Sequence, residues 1–265
     1  MDNAHIIKQV DITRIKDNKS IRTRDNIIDE DILEIRINGK KAFQIVFSMT
    51  HTKALAAGFL FTQGIVQEKT DILDLVFVEE TKQCRVTLRD SALKRLDELR
   101  TMGSIRGSSG GALLQNPDRI SIPGRTQDFS ITYDQVSALI QMHWDHSELF
   151  HETGAVHSAG LCDPFHILAY YEDIGRHNAL DKLAGDVLLK EISAGDKVAT
   201  LSCRMSLEII GKIIKTGIPI VISNAAPTLS AVRMADRAGL TVIGFARDNR
   251  FNIYTHEKRI VPGKG

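Results

Sequence analysis

Apolar residues follow two different rhythms along the chain, and the first half predicts a small α+β unit. Asn38 and Gly39 separate two alternating segments, and this dipeptide favours the tight turn of a β-hairpin. Candidate N-cap residues mark two helices, Thr50 or Thr52 for the first and Ser91 for the second. The pattern predicts a hairpin over 31–48, a helix over 50–66, two strands within 73–89 and a helix over 91–100.

The second half alternates apolar strands with helical patterns, after a predicted helix over 133–150. Strands that are apolar on both faces, each followed by a helix, predict a largely parallel sheet with helices on both sides. A last strand over 250–256 adds an antiparallel edge. The expected fold class is therefore α/β with a mixed, mostly parallel sheet. The predicted strands span 165–172, 197–203, 218–224 and 240–246, and the predicted helices span 176–192, 206–217 and 228–239.

Two segments lack either rhythm. Residues 1–30 are polar without a clear period, which predicts a loosely ordered arm. Residues 101–119 contain four glycines and three serines, a composition typical of a flexible loop. The chain is therefore divided at this loop into a small α+β domain over 1–120 and an α/β domain over 121–265.

Polar and basic residues follow the predicted strands of the second half. Ligands of such sheets bind outside the carboxyl ends of the strands, where helix N-termini add partial positive charge. Three of these strand ends carry an arginine, Arg176, Arg204 and Arg247. Together they predict an anion site for a phosphorylated or nucleotide ligand. The alternative is that these residues belong to exposed loops and only cap the helices.

Histidines give this edge further candidate chemistry. His177 lies in the first turn of a predicted helix, where a cation is disfavoured, so a neutral ring either contacts a ligand or packs. His157 lies in a second polar cluster, TGAVHSA. His143, His146 and His151 are spaced by three and five residues, which favours a solvated helix face over a metal site.

Charge and cysteine content exclude several classes of protein. The net charge is +1 without a basic block, which argues against a nucleic-acid or membrane-surface role. We find no apolar run of the 18 or so residues that a membrane span needs, and the N-terminal residues lack a signal-peptide pattern. Three widely spaced cysteines predict neither a zinc ribbon nor a disulfide framework. A cytoplasmic location is expected.

Five segments share their letters with one known family. Residues 172–183 read EDIGRHNALDKL, the most specific of them, and 153–159 read TGAVHSA. The others are GFLFTQGIV at 58–66, SCRMSLEII at 202–210, and 223–255, which contains APT and GFARDNR. Roughly 200 residues take part, and the chain is identified as resembling the FdhD/NarQ family of formate dehydrogenase accessory proteins.

The resemblance implies a function and a set of binding residues. Family members are homodimeric sulfurtransferases of the cytoplasm, whose larger domain resembles the cytidine deaminase fold. They take persulfide sulfur from a cysteine desulfurase and deliver it to the molybdenum bis(molybdopterin guanine dinucleotide) cofactor, before that cofactor enters the catalytic subunit of formate dehydrogenase. GDP is the expected mimic of the cofactor. The family's cofactor-binding segment matches six residues here: Phe245, Ala246, Arg247, Asp248, Asn249 and Arg250. Four further residues at the predicted sheet edge complete the expected binding set: Arg176, His177, His157 and Arg204.

One departure from the family concerns its loop cysteine. The position matches Ser108 or Ser109 here, depending on the register, and a hydroxyl cannot carry a persulfide. Three alternatives follow. The chain is a cofactor-binding chaperone without transfer chemistry, or another cysteine takes the role of the loop cysteine, or the loop cysteines have been replaced by other residues in this particular sequence. Cys203 is the candidate substitute, because it follows a strand beside Arg204 near a helix N-terminus, although a small residue there is often buried. The sequence argues against a zinc deaminase, because Ser158 and Ala159 follow His157 and no P-C-x-x-C occurs.

Overall fold

The computed structural model describes residues 6–101 and 129–263. It begins with a two-stranded antiparallel hairpin, β1 (Ile7–Lys16) and β2 (Lys19–Ile28). Asp17 and Asn18 make its turn with positive φ angles of 52° and 59°. The prediction of a loosely ordered arm over 1–30 is therefore wrong from residue 7 onwards. Apolar and polar residues do not alternate strictly in this hairpin, because most side chains of both strands are exposed.

A four-stranded sheet and two helices form the rest of the first half. The elements are β3 (Asp31–Ile37), β4 (Lys40–Phe47), α1 (Thr52–Thr62), β5 (Ile72–Val78), β6 (Gln83–Leu88) and α2 (Asp90–Thr101). Asn38 and Gly39 form the predicted tight turn, with φ angles of 45° and 81°. The buried side chains of the sheet pack on α1 and α2 in one core. The cap predictions need correction, since His51 precedes α1 and Ser91 lies inside α2, with its hydroxyl on Asp71.

A six-stranded mixed sheet organises the second half. Its strands run in the order β13-β12-β11-β10-β8-β9, and among neighbouring strands only β10 with β11 and β11 with β12 pair in parallel. Strands β7 and β14 form a separate two-stranded parallel sheet, which packs on the same core. The elements are β7 (Ile131–Thr132), α3 (Tyr133–Asp145), α4 (Glu148–Thr153), β8 (His157–Cys162), β9 (Ile167–Asp173), α5 (Arg176–Leu189), β10 (Val198–Leu201), α6 (Leu207–Thr216), β11 (Ile220–Ser223), α7 (Leu229–Ala238), β12 (Thr241–Arg247), β13 (Arg250–Ile253) and β14 (Ile260–Val261).

Strand β8 was not predicted, and the predicted helix over 133–150 is two helices with Ser147 before the second. The letters of β8, HSAGLC, are small and have low strand propensity. Small residues are needed there, because a Cβ atom on Gly160 would lie 2.5 Å from the Thr200 hydroxyl. The prediction of helices on both sides of the sheet is confirmed: α5, α6 and α7 pack on one face and α3 on the other.

Helices α1 and α5 join the two halves through glycines. A Cβ atom on Gly58 would lie 1.8 Å from the Asp181 carbonyl oxygen, and one on Gly185 would lie 1.9 Å from that of Ala54. The backbones of the two helices are therefore in direct contact, which only residues without a side chain allow. The predicted domain boundary at 120 falls outside the described residues and stays a prediction.

Candidate functional site

Five polar segments meet at one edge of the six-stranded sheet. Strands β10, β11 and β12 end there, and β8 begins there because it runs antiparallel to β10, with Ala159 opposite Leu201. Strand β9 also ends at this edge, since Asp173 lies opposite His157. The sequence-based expectation that the strand ends share one edge agrees with this arrangement.

A large open cavity of about 1460 Å³ lies between α3 and the turn that joins β12 to β13. Arg247, Asp248, Asn249 and Arg250 all line it, as does Ala246 from the sheet. Asp248 and Asn249 adopt positive φ angles of 49° and 56°, which makes the turn tight. Both arginines are exposed, so this wall of the cavity carries positive charge.

Aromatic rings line the same cavity. Tyr133 and Phe251 contact each other edge to face, with 5.9 Å between ring centroids, and Trp144 lies further along α3. Sequence reasoning missed these three residues, because neither a helical nor a strand pattern marks which aromatic side chain lines a cavity. Flat rings in the same cavity as arginines suit a ligand that has both planar and anionic parts.

A smaller cavity of about 320 Å³ adjoins the large one, and Trp144 and Asn224 line both. Its polar wall is made by His157, Ser158 and Ser202. The Asn224 Oδ1 atom is buried and has no hydrogen-bond partner among the described residues. The two cavities therefore adjoin at Trp144 and Asn224, and together they form the recess at this sheet edge.

Four residues of the predicted binding set lie outside the linings of the two cavities. The residues that line the two cavities do not include Arg176, His177, Arg204 or Phe245. Arg176 and His177 begin α5, which packs on the face opposite α3. The expectation of one cleft lined by all the segments is corrected to this extent, and the binding roles of these residues stay predictions.

The segment EDIGRHNALDKL is largely a buried structural network. The Glu172 carboxylate accepts hydrogen bonds from the backbone N–H groups of Leu149 and Phe150, both at 3.0 Å, and so caps α4. Asp173 and Lys182, both fully buried, form an ion pair at 2.6 Å. These contacts fix α4, β9 and α5 relative to one another.

Further pairs of this network join the two halves of the chain. Asn178 donates to Asp173 and to the Val46 carbonyl oxygen, each at 2.8 Å. Asp181 accepts from Lys212 at 2.6 Å and from the Thr62 hydroxyl at 2.7 Å. Most polar residues of the segment are therefore committed to internal partners.

Arg176 and His177 are the exceptions in that segment. Both ring nitrogens of His177 and the Arg176 Nε are buried without a hydrogen-bond partner among the residues described. Burial, then Lys212 and Arg176, lower the pKa of His177 to about 4. The ring is therefore neutral at pH 7, and its 3.5 Å contact with Glu208 is not an ion pair. These atoms lack an internal partner among the described residues.

His143 is buried, so the predicted solvated histidine face holds only for His146 and His151. Its Nδ1 lies 2.7 Å from the Thr200 hydroxyl, and its Nε2 lies 2.9 Å from that of Ser158. Burial lowers the pKa of His143 to about 3, so the ring is neutral. Within the described ranges, no cluster of three or more His, Cys, Asp or Glu residues suits a metal ion.

A family model described as the FdhD/NarQ family matches residues 28–261. The chain belongs to the FdhD/NarQ family. It is 34% identical over 260 residues to the sulfur carrier protein FdhD of Bacillus pumilus, covering 97% of this chain and 99% of that protein. The corresponding protein of Bacillus subtilis is 34% identical over 252 residues, with 94% and 96% covered.

A crystal structure from Desulfotalea psychrophila, provisionally named a formate dehydrogenase accessory protein, has the same fold. The TM-score is 0.80 at 21% identity, over 97% of this chain and all of that one. The α/β fold class is thereby confirmed. None of the described helices is both long and apolar enough to span a membrane.

All three cysteines of this FdhD/NarQ family member are buried. Burial raises the pKa of Cys203 to about 11, despite the opposing influence of Arg176 and Arg204. Burial likewise raises the pKa of Cys84 and of Cys162 to about 12, and Cys162 ends β8 rather than lying in a loop. The expected lowering of the Cys203 pKa is wrong, because desolvation of the thiolate outweighs the nearby positive charge. Ser108 and Ser109 lie outside the described residues.

Proposed function

We propose that this chain is a formate dehydrogenase accessory protein that binds the guanine dinucleotide part of a molybdenum cofactor in the large cavity. The turn from Arg247 to Arg250 carries the proposal. Its two arginines suit phosphate groups, while Tyr133, Trp144 and Phe251 offer faces to planar rings. The volume of about 1460 Å³ exceeds the ~300–1,000 Å³ of ordinary small-molecule sites, which favours a dinucleotide. The client cofactor would be molybdenum bis(molybdopterin guanine dinucleotide).

The proposal is tested by calorimetry with GDP as the mimic. Arg247→Ala should weaken GDP binding by about 1.5–3 kcal/mol, because a hydrogen bond to a charged phosphate is lost. Arg233→Ala is the matched control, since Arg233 is an exposed arginine of α7 that lines neither cavity. Equal affinity of the wild type and Arg247→Ala for GDP would count against the site.

The state of the thiols favours a binding role over sulfur transfer. Transfer requires a thiolate that reaches donor and acceptor. The three cysteines are buried with raised pKa values, and the loop positions Ser108 and Ser109 hold hydroxyls. We therefore put a cofactor-binding chaperone first. Cytoplasmic location and a homodimeric state are part of the same proposal.

Sulfur transfer is the second candidate, and the name sulfur carrier protein of the relatives favours it. The donor would be a cysteine desulfurase. We expect no persulfide on the wild type after incubation with desulfurase and cysteine, as read by mass spectrometry. Ser108→Cys and Ser109→Cys are the comparison variants. A persulfide on Cys203 of the wild type would restore the transfer function.

A further inference from the structure

One face of the β1–β2 hairpin carries exposed apolar residues among basic ones. In an antiparallel pair, directly opposed residues lie on the same face, so the register places Val10, Ile12, Ile21 and Ile27 together. We call these four residues the docking face. Val10, Ile21 and Ile27 are 41%, 51% and 43% exposed with respect to the described residues.

Such a hairpin is poorly stabilised by its own contacts. An isolated two-stranded sheet is marginally stable in water, and β1 and β2 pair with no third strand among those described. Exposed apolar patches with a polar rim mark protein interaction sites. The docking face therefore needs a partner surface, which the described residues do not supply.

The positive charge of the hairpin indicates which kind of partner surface it binds. Residues 7–28 hold six lysines and arginines against three aspartates. The same face carries Lys8, Arg14, Lys16 and Lys19. The acidic residue there, Asp25, is already paired with Arg14 at 3.4 Å. A second copy would oppose cations to cations. Residues 102–128 do not complement the basic hairpin either, because they contain three arginines and two aspartates. An acidic partner is favoured.

The base of the hairpin lies beside the smaller cavity. Ile6, Ile7 and Ile28 pack with Phe150 and Val156, and these last two residues line that cavity. The Asp29 N–H donates to the Ile6 carbonyl oxygen at 2.7 Å and closes the base. A protein bound to the hairpin would therefore lie next to the candidate ligand site.

We propose that the docking face binds an apolar, acidic patch on the protein that receives the ligand, the catalytic subunit of formate dehydrogenase. The choice of recipient rests on the proposed function, because a chaperone without a reactive thiol needs a recipient and not a sulfur donor. Docking beside the cavity shortens the path of the ligand between the two proteins.

The test measures binding of the full chain to immobilised, cofactor-free catalytic subunit of formate dehydrogenase. Val10→Asp/Ile21→Asp should bind at least about tenfold more weakly, because charges would enter the apolar contact. Lys16→Glu/Lys19→Glu should also weaken binding and reduce its salt dependence. Leu73→Asp is the control for the first variant, since Leu73 is an exposed apolar residue of β5.

Each variant is also titrated with GDP and sized by light scattering. Unchanged GDP affinity shows that the fold and the cavity are intact. Undiminished subunit binding by Val10→Asp/Ile21→Asp would overturn the docking proposal, and so would dissociation of this variant from dimer to monomer. Undiminished binding by Lys16→Glu/Lys19→Glu would overturn the acidic partner.

The two proposals fail in different ways. A wild type that binds GDP but not the subunit refutes docking and leaves the proposed ligand site standing. A wild type that binds the subunit through the hairpin but not GDP refutes the ligand site and leaves docking standing.

Discussion

Replacing Lys182 with methionine would leave the buried Asp173 carboxylate without its cation. The two charged atoms lie 2.6 Å apart, and both side chains are 0% exposed. Breaking such a pair from one side costs about 3–5 kcal/mol. Asp173 keeps donors from Ser48, Gly175 and Asn178, so we expect the lower end, a loss of about 3 kcal/mol in the free energy of unfolding.

The measurement is urea unfolding followed by circular dichroism. The midpoint urea concentration should fall, while the dependence of the free energy of unfolding on urea concentration should not change. Asp173→Asn/Lys182→Met should recover part of the loss, because it leaves no unpaired charge. Lys190→Met is the control, since Lys190 is 64% exposed in its pair with Asp186 and should cost less than about 0.5 kcal/mol. A Lys182→Met protein within about 1 kcal/mol of the wild type would refute the structural reading of this segment.

Three other predictions concern buried groups. Because the pKa of His143 is about 3 when folded and about 6.5 when unfolded, stability is complete above pH 6.5 and falls with pH by about 2 kcal/mol between pH 6.5 and 5. His143→Gln should reduce that pH dependence by the uptake of about one proton on unfolding, as urea titrations at several pH values would show. The three native thiols should resist Ellman's reagent until the chain unfolds. Gly58→Ala should cost at least about 3 kcal/mol in urea, because its methyl group meets the Asp181 backbone.

Local signals in the sequence predicted most of the fold. The Asn38-Gly39 turn and the apolar strands of the second half needed no tertiary information, because one residue pattern produced each of them. The hairpin of 7–28 was missed because only its base packs on a core, through Ile7 and Ile28, so most of its length needs no alternation of apolar and polar residues. Its Asp17-Asn18 turn was the one available signal.

The candidate site was predictable only as a location. Strand ends placed Arg247 and Arg250 at the correct edge, because parallel strands share their carboxyl ends. The face to which Arg176 belongs depends on where α5 crosses the sheet, which no local pattern encodes. The burial of His143 depends likewise on Thr200, 57 residues away.

Trp144 offers the most direct measurement of the central claim, that a guanine nucleotide binds in the recess of the sheet edge. It is the single tryptophan of the chain and lines both cavities. GDP added to the wild type should change the tryptophan emission saturably, at concentrations that match calorimetry, and Arg247→Ala should shift the titration to higher GDP. Calorimetric binding of GDP without any change in Trp144 emission would contradict the account, because the nucleotide would then lie elsewhere.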